Sequence, residues 1–205
     1  MTTSLDRVKG DYTQGGRRFA QRLVASIGDL PLTPNQLTVT GFLLTCVSGA
    51  LVVTEHFIWA TVAYLAGSII DALDGAFARA HGKMTPFGGF LDSTLDRLSD
   101  AVMLGAIGIY LAQQDEMVAL ACAFAALAGS FMISYTRAKA EALGLKGDVG
   151  LMARLERIVL LAIALPLAGH GSLPYVVYLL TALTGITVVQ RVAYVHKQLN
   201  TTVEE

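Results

Sequence analysis

The sequence predicts an all-α, polytopic membrane protein with six transmembrane helices plus an N-terminal interfacial amphipathic helix. Three observations lead to this prediction. Of the 205 residues, 54% are hydrophobic and the mean hydropathy is +0.56, which is more apolar than one soluble domain requires. The apolar residues form runs of about 20, the length at which a helix crosses the hydrocarbon core. The lysines and arginines lie before the first run, in or around alternate connections between the runs, and near the end of the last run.

Six apolar runs are separated by short polar connections. They cover approximately residues 34–53, 57–80, 86–111, 116–141, 151–168 and 173–196. Thr33 and Thr85 each precede a proline, which predicts a capping hydroxyl followed by proline at the start of the first and third helices. Pro166 predicts a kink or an end in the fifth helix. We expect residues 34–197 to form one six-span domain.

The positive charges predict the orientation of the chain. The connections at residues 54–56, 113–116 and 169–172 contain none of the fifteen lysines and arginines. Because basic residues are retained on the cytoplasmic side, both termini, including an N-terminal segment at 1–33 and a tail at 198–205, are predicted to be cytoplasmic in the cell membrane. Residues 4–27 alternate charged with apolar side chains, which favours a helix lying on that membrane surface over a solvated arm.

Two further features exclude other classes of protein. The net charge of −1 does not indicate a nucleic-acid-binding protein. Cys46 and Cys122 lie within apolar runs and lack the spacing of metal ligands, so they are interpreted as small core residues.

Four aspartates interrupt the second and third apolar runs. Asp71 and Asp74 are three residues apart, and Asp92 and Asp96 are four apart, so each pair projects from one face of its helix. Each ionised aspartate near the bilayer centre costs roughly 2.5 to 3.5 kcal/mol, so four of them would cost on the order of 10 kcal/mol. A compensating positive charge is therefore required.

Two sources of positive charge fit the sequence. Arg79 and Arg97 would supply it in a salt-bridged structural cluster. Clustered carboxylate oxygens are also the ligands that Mg²⁺, Mn²⁺ and Ca²⁺ prefer, and one or two divalent ions that bind phosphate oxygens are the favoured interpretation. Gly75 and Ala78 share a helix face with the first aspartate pair, which lets a flat group approach the backbone. Helix packing through small residues is the alternative for that face.

The spacing of these residues resembles the signature of the CDP-alcohol phosphotransferase family. It is Asp71-x₂-Asp74-Gly75-x₂-Ala78-Arg79-x₈-Gly88-x₃-Asp92-x₃-Asp96, eight fixed residues over 26 positions. The opening Thr33-Pro34-Asn35-x-Leu37-Thr38 also resembles this family. The resemblance implies a six-span homodimeric enzyme that transfers a phosphatidyl-type group from a CDP-linked lipid to an alcohol and releases CMP.

The resemblance also implies roles for individual residues. Two divalent ions, Mg²⁺ or Mn²⁺, would be bound by Asp71, Asp74, Asp92 and Asp96. Gly75, Ala78 and Arg79 would line the CDP-lipid pocket. Asp96 would also be the catalytic general base that accepts the proton of the attacking alcohol.

Five further cations at predicted cytoplasmic helix ends indicate a phosphorylated acceptor. They are Arg137, Lys139, Arg154, Arg157 and Arg191. Guanidinium groups match phosphate oxygens, so these side chains are candidates for binding the acceptor phosphate. Ordinary anchoring by positive charges, with Arg137 paired to Glu141, is the alternative.

The stretch from Arg137 to Arg157 resembles the phosphatidylinositol-phosphate synthase branch and its archaeal ether-lipid counterparts. This resemblance implies inositol 1-phosphate as the acceptor and CDP-diacylglycerol or CDP-archaeol as the donor. Phosphatidylglycerophosphate synthase, which takes glycerol 3-phosphate, is the second candidate, and a free alcohol such as serine is the third. An ion transporter is disfavoured because the acidic residues cluster at one membrane surface and no internal repeat is present.

Overall fold

The computed structural model describes residues 33–203, which are all-helical and contain no strand. The elements are α1 (Pro34–Val53), α2 (Phe57–Ala80), α3 (Pro86–Gln113), α4 (Met117–Ala142), α5 (Arg154–Ala164), a 3₁₀ helix (Leu165–His170) and α6 (Leu173–Val203). The all-α prediction is confirmed for this part of the chain. The predicted interfacial helix lies outside the described residues.

Both predicted helix starts are confirmed by hydrogen bonds. At α1 the backbone N–H of Gln36 donates to Thr33 Oγ1 at 3.3 Å, and the Gln36 side chain accepts from the Thr33 N–H at 2.9 Å. This reciprocal pair is a capping box. At α3 the N–H of Gly88 donates to Thr85 Oγ1 at 3.0 Å. The two Thr-Pro pairs therefore fix where the first and third helices begin.

The fifth predicted span is only partly an α-helix. The α-helix ends at Ala164, two residues before Pro166, and continues as the 3₁₀ helix, as the proline predicted. Its start is later than expected, because residues 151–153 are not helical. The N–H of Met152 donates instead to Thr187 Oγ1 at 3.0 Å, and Gly150 has a φ of +128°. Both features hold the chain out of the helical conformation.

Four of the described helices are long and apolar enough to cross a membrane, and they are α1, α2, α4 and α6. Large apolar side chains on these helices remain exposed in the monomer, including Leu43, Trp59 and Phe124. A soluble protein does not leave this much apolar surface in water. The chain is therefore a membrane protein. Charged residues in the first half of α3 and the short length of α5 keep these two helices outside that group.

The described residues divide into two compact units. The first contains residues 33–44 and Ala66–Asp96, and the second contains Thr45–Leu65 and residues 97–203. In the first unit, Leu73 and Phe77 form a small core with Leu37 and Ala76. A side chain at Gly41 would meet the carbonyl oxygen of Gly67 at 2.8 Å, so only glycine allows α1 and α2 to pack this closely.

The second unit has the larger apolar core. It is built around Met103, Ile107 and Leu111 of α3, which pack with residues of α2, α5 and α6. Helices α4 and α6 also pack closely, because a side chain at Gly129 would lie 2.7 Å from Thr184 Oγ1. This packing of small residues is typical of helices inside a membrane.

Candidate active site

The first unit brings three of the four predicted aspartates together. Asp71 and Asp74 project from the last turns of α2, and Asp92 projects from the second turn of α3. One carboxylate oxygen from each of the three lies within 4.8 Å of the others. Asp71 is 8% exposed and Asp74 is 6% exposed. Three converging carboxylates, two of them buried, form an acidic centre.

The surroundings of Asp74 fit a bound cation. Thr38 Oγ1 of α1 donates a hydrogen bond to Asp74 Oδ2, and Thr38 is itself buried. The charges of Asp71 and Asp92 repel the Asp74 carboxylate. Buried like charges at this separation are stabilised by a positive ion, and an all-oxygen ligand set suits a hard divalent cation. The residues present therefore fit a divalent metal.

Asp96 lies one helical turn beyond Asp92 on α3. It is half-buried and does not belong to the group of three converging carboxylates in this structure. Its spacing of four residues places it on the same face of α3 as Asp92. The predicted roles of Asp96 as ligand and general base stay predictions.

A cavity of about 250 Å³ opens beside the acidic centre. Its wall includes the three residues predicted to line the CDP-lipid pocket, which are Gly75, Ala78 and Arg79, together with Asp74 and Asp92. A side chain at Gly75 would meet Arg79 Nη1 at 3.3 Å. The missing side chain at position 75 therefore lets the Arg79 guanidinium fold back over the helix.

Several residues of the cavity wall were not assigned a role from the sequence. Asn35 and Thr38 come from the start of α1, and Lys83 comes from the α2–α3 connection. The motif at the start of α1 resembles the family, but the motif alone does not tell which aspartate Thr38 contacts. The hydrogen bond between Thr38 and Asp74 joins residues 36 positions apart and required the structure.

The second unit contains the predicted phosphate-binding cations, and two of them are deeply buried. Arg157 is 3% exposed and Arg191 is 4% exposed. Arg157 Nη2 donates to Asp100 Oδ2 at 2.6 Å, and its Nη1 donates to the carbonyl of Met152 at 3.3 Å. Asp100, which the sequence reasoning missed, follows Asp92 and Asp96 at the same spacing of four.

Arg191 is held by backbone carbonyl groups. Its Nε donates to Val149 O at 2.8 Å, and its Nη1 donates to Ile133 O. The charges of Arg137 and Arg157 repel Arg191, whereas those of Asp148 and Glu141 attract it. Arg137, Arg157 and Arg191 therefore interact with one another. Together with Arg154, which acts with Arg157 on Tyr64, they are called the basic cluster here.

The other predicted cations are more accessible. Arg137 Nε pairs with Glu141 Oε1 at 2.8 Å, an exposed pair one turn apart that matches the anchoring alternative. Lys139 is exposed, and Arg154 is half-buried at the start of α5. Arg154 and Arg157 both act electrostatically on the buried Tyr64. The predicted binding of an acceptor phosphate by these side chains stays a prediction.

The fold and the acidic centre define a helical membrane protein with a cation-binding site, and comparison with known proteins identifies the class. The sequence profile of the CDP-alcohol phosphatidyltransferase family matches residues 31–193. The chain belongs to this family and is a transferase, which sets the ion-transporter alternative aside. The family resemblance drawn from the aspartate spacing is confirmed.

Individual relatives lie in one branch of the family. The chain is 40% identical to the archaetidylinositol phosphate synthase of Pyrococcus horikoshii over 181 residues, which is 87% of this chain and 92% of that protein. It is 37% identical to the phosphatidylinositol phosphate synthase of Corynebacterium glutamicum over 193 residues, covering 89% and 88%. The resemblance to this branch is confirmed.

Solved structures of the phosphatidylinositol phosphate synthase of Mycobacterium tuberculosis resemble this chain. The structure with CDP-DAG bound matches with a TM-score of 0.79 at 28% identity and covers 87% of this chain and 94% of that one. The structure in complex with manganese and citrate matches with a TM-score of 0.79 at 28% identity, covering 86% and 88%.

Proposed function

We propose that this protein transfers the phosphatidyl-type group of a CDP-linked lipid to inositol 1-phosphate and releases CMP. The product is a phosphatidylinositol phosphate, or its archaetidyl counterpart when the donor is CDP-archaeol. The observation that carries the proposal is the cavity whose wall joins Gly75, Ala78 and Arg79 to the carboxylates of Asp74 and Asp92. The names of the relatives, which are inositol phosphate lipid synthases, support the choice of acceptor.

The cavity in the first unit is the proposed site for the CDP part of the donor. Gly75 and Ala78 expose the α2 backbone on one face, which lets a flat nucleotide approach closely. Arg79 and Lys83 place two positive charges on the wall. Charge-assisted hydrogen bonds from such side chains suit the pyrophosphate oxygens. The relative with CDP-DAG bound supports a CDP-linked lipid as donor.

The four aspartates are the proposed ligands for divalent metal, Mg²⁺ or Mn²⁺, as two ions. Asp71, Asp74 and Asp92 already converge, and Asp96 would join them on ion binding. The bound metal supplies positive charge that stabilises the pyrophosphate oxygens. The relative in complex with manganese supports a divalent metal.

The transfer exchanges one phosphorus–oxygen bond for another. Asp96 accepts the proton of the acceptor hydroxyl as that oxygen bonds to the lipid-linked phosphorus. The bond from this phosphorus to the bridging oxygen breaks, and CMP leaves with the electron pair. The hydrogen bond from Thr38 fixes the Asp74 carboxylate and so holds this proposed metal ligand in position for the transfer.

The basic cluster, together with Lys139, is the proposed site for the acceptor phosphate. Arg137 and Arg154 are accessible, and the buried Arg157 and Arg191 add positive charge to the same cluster. A free alcohol would need none of these charges. The phosphate group of inositol 1-phosphate is therefore the feature that this cluster recognises.

All six helices are proposed to cross the bilayer, with both termini and the site on the cytoplasmic side. The α5 helix and the following 3₁₀ helix contain 11 and 6 residues, which together extend about 28 Å, close to the thickness of the hydrocarbon core. The three connections predicted to lie on the other side contain no Lys or Arg, which supports this orientation.

A homodimer is also proposed, and chemical cross-linking in the native membrane tests it.

The experiment that tests the function measures CMP release by the purified protein with CDP-diacylglycerol and Mg²⁺. Inositol 1-phosphate, glycerol 3-phosphate, free inositol and serine are compared as acceptors. We expect release with inositol 1-phosphate, loss of activity with a chelator, and recovery on addition of Mg²⁺ or Mn²⁺. Repeating the assay with CDP-archaeol identifies the lipid tails that the donor carries.

Each other outcome corrects a different part of the proposal. Release only with glycerol 3-phosphate would assign the chain to phosphatidylglycerophosphate synthesis and keep the metal chemistry. Release with free inositol or serine would remove the role of the basic cluster. No release with any acceptor or either lipid would contradict the proposed transfer.

A further inference from the structure

Asp100 forms a buried ion pair with Arg157 in the second unit, and the family signature does not include it. The Asp100 side chain is 11% exposed and the Arg157 side chain is 4% exposed, and Oδ2 to Nη2 measures 2.6 Å. A pair this short and buried holds the guanidinium in one orientation. Burying two charges costs solvation free energy that can exceed the attraction between them. A contribution to stability is therefore a poor explanation for this pair.

The remaining contacts of Arg157 define which edge of its guanidinium is fixed. Nη2 binds Asp100, and Nη1 donates to the carbonyl of Met152 at 3.3 Å. Nε is buried and has no hydrogen-bond acceptor among residues 33–203. A buried N–H donor without an acceptor is energetically costly. A phosphate oxygen, or a water molecule that bridges to a phosphate oxygen, would accept this hydrogen bond. Asp100 and Met152 thus bind the two Nη atoms of Arg157 and leave the Nε–H available.

The charges around Arg157 give Asp100 a second effect. Arg137 and Arg157 both act on Arg191, and Asp100, Arg154 and Arg157 all act on Tyr64. Asp100 is therefore a negative charge within the basic cluster. By charge alone it would weaken the attraction of the cluster for an anion, because it repels a phosphate.

We propose that Asp100 is a positioning residue for the acceptor phosphate, acting through Arg157. It holds the guanidinium in the orientation in which Arg157 binds a phosphate monoester. The affinity gained from this orientation exceeds the affinity lost because the Asp100 carboxylate repels the phosphate. The inference rests on the proposed function, since it assumes that the acceptor carries a phosphate. It adds to the site a residue that does not itself touch the acceptor.

A role of Asp100 in orienting Arg157 and a purely electrostatic role predict opposite changes in the acceptor KM of Asp100→Asn. The amide keeps the shape of the side chain but removes its charge. If Asp100 positions Arg157, the KM for inositol 1-phosphate rises about tenfold, because the charge-assisted bond that orients the guanidinium is lost. If Asp100 acts only as a negative charge, the same KM falls. The KM for CDP-diacylglycerol is the internal control and should not change.

The experiment compares Asp100→Asn with four further variants under saturating CDP-diacylglycerol. Asp100→Glu, which keeps the charge, should recover most of the acceptor affinity. Asp115→Asn is the matched control, because Asp115 is exposed in a connection with a φ of +59°, a conformation that asparagine also adopts. Arg157→Gln and the double variant Asp100→Asn/Arg157→Gln complete a double-mutant cycle.

Action through Arg157 predicts that the double variant has the acceptor KM of Arg157→Gln alone. A further rise in the double variant would show that Asp100 acts independently of Arg157 and would overturn the proposal. An unchanged acceptor KM in Asp100→Asn with a lowered Tm would also overturn it, since that pattern indicates a structural role. If Asp100→Asn does not fold, the double variant, which leaves no unpaired buried charge, still gives the decisive comparison with Arg157→Gln.

Failure of this inference is distinguishable from failure of the proposed function. If wild-type protein releases CMP with inositol 1-phosphate but the Asp100 variants keep its KM, only the inference is wrong. If wild-type protein does not use a phosphorylated acceptor, the proposed function itself is wrong, and the Asp100 experiment has no phosphate to report on.

Discussion

The buried charges of the acidic centre and those of the basic cluster have different surroundings. In the acidic centre, like charges from Asp71, Asp74 and Asp92 converge on one another beside an open cavity. In the basic cluster, Arg157 and Arg191 are bound by a carboxylate and by backbone carbonyl groups of the surrounding protein. In the proposed function a bound cation compensates the first arrangement, whereas the protein itself largely compensates the second.

This difference predicts how mutations in each region affect activity and stability. A centre whose charges need an external cation loses function when a carboxylate is neutralised, while the fold tolerates or even gains from the change. A cluster whose charges are satisfied by the protein loses stability as well as affinity when a cation is removed, because acceptors are left unpaired. The predictions below test this contrast, from the largest expected effect to the smallest.

Neutralising the acidic centre should have the largest effect. We expect Asp96→Asn to lower kcat by about 10² to 10⁴, the usual contribution of a general base, and Asp92→Asn to abolish transfer. Both variants should keep the Tm of the metal-free protein, because the amide nearly preserves the shape of the side chain. CMP release and thermal unfolding in detergent measure the two quantities.

The control for this prediction is Asp115→Asn, the same chemical change in an exposed connection. Wild-type turnover in Asp92→Asn or Asp96→Asn would contradict the proposed metal site. A large fall in Tm would instead place these carboxylates among the structural ion pairs that the sequence left open as an alternative.

Removing a buried cation should affect both affinity and stability. We expect Arg191→Ala to raise the KM for inositol 1-phosphate by about tenfold to a hundredfold and to destabilise the fold by about 1.5 to 3 kcal/mol per lost charged hydrogen bond. Its partners, Val149 O and Ile133 O, are left without this donor. Steady-state kinetics and thermal unfolding check the two effects.

Lys146→Ala is the matched control, because it removes an exposed positive charge from the same unit. Its KM and Tm should stay close to the wild-type values. If Arg191→Ala lowers Tm while its acceptor KM is unchanged, Arg191 serves the fold alone and the contrast between the two regions becomes sharper.

Removing the hydroxyl that fixes Asp74 should have a smaller effect. We expect Thr38→Val to weaken metal activation by about tenfold, because partners that orient metal ligands typically contribute 10-fold to 100-fold. Valine keeps the shape of threonine but cannot donate to Asp74 Oδ2. The dependence of CMP release on Mg²⁺ concentration measures the change.

Thr40→Val provides the comparison for Thr38. Thr40 is exposed, and its hydroxyl donates to the carbonyl of Gln36 within the same helix. Thr40→Val should keep the Mg²⁺ dependence of the wild type. An equal shift in both variants would show that the effect comes from helix α1 and not from Asp74.

Filling the space at Gly75 should have the smallest effect. In Gly75→Ala the new methyl group meets Arg79 Nη1 at 3.3 Å, so the guanidinium must move by a few tenths of an ångström. We expect the KM for the CDP-linked lipid to rise by about 2-fold to 10-fold with little change in the acceptor KM.

Gly105→Ala is the control, since a methyl group at Gly105 meets no heavy atom within 4 Å and alanine favours the helix. Its donor KM should equal that of the wild type. A Gly75→Ala variant with an unchanged donor KM would mean that Arg79 accommodates the methyl group or does not contact the donor.

The helices were predicted well because their signals are local. The first two helices have the predicted bounds, and the Thr33 and Thr85 caps lie where the Thr-Pro pairs placed them. The start of α5 was predicted too early, because the N–H of Met152 bonds to Thr187, a residue 35 positions away. A contact at that distance leaves no trace in the periodicity of the helix.

The two regions also differ in how much of their chemistry the sequence reveals. The acidic residues lie within 26 positions on two consecutive helices, so helical spacing places each pair on one face and the short connection allows the two faces to meet. The basic residues come from α4, α5 and α6. The positive charge and guanidinium groups of these residues indicated a phosphate ligand. The ion pair between Arg157 and Asp100 joins residues 57 positions apart, so the local sequence around either residue does not predict it.

The sequence by itself determined the helical membrane class, the family and the residues that carry its acidic signature. These properties depend on composition and on spacing along single helices, which hydrophobic periodicity and the geometry of the α-helix fix directly. Only the tertiary structure decided that Thr38 fixes Asp74 and that Asp100 and backbone carbonyl groups hold the buried arginines. Those contacts depend on which helix faces pack together, and packing brings distant residues within hydrogen-bond distance without leaving a pattern in the sequence.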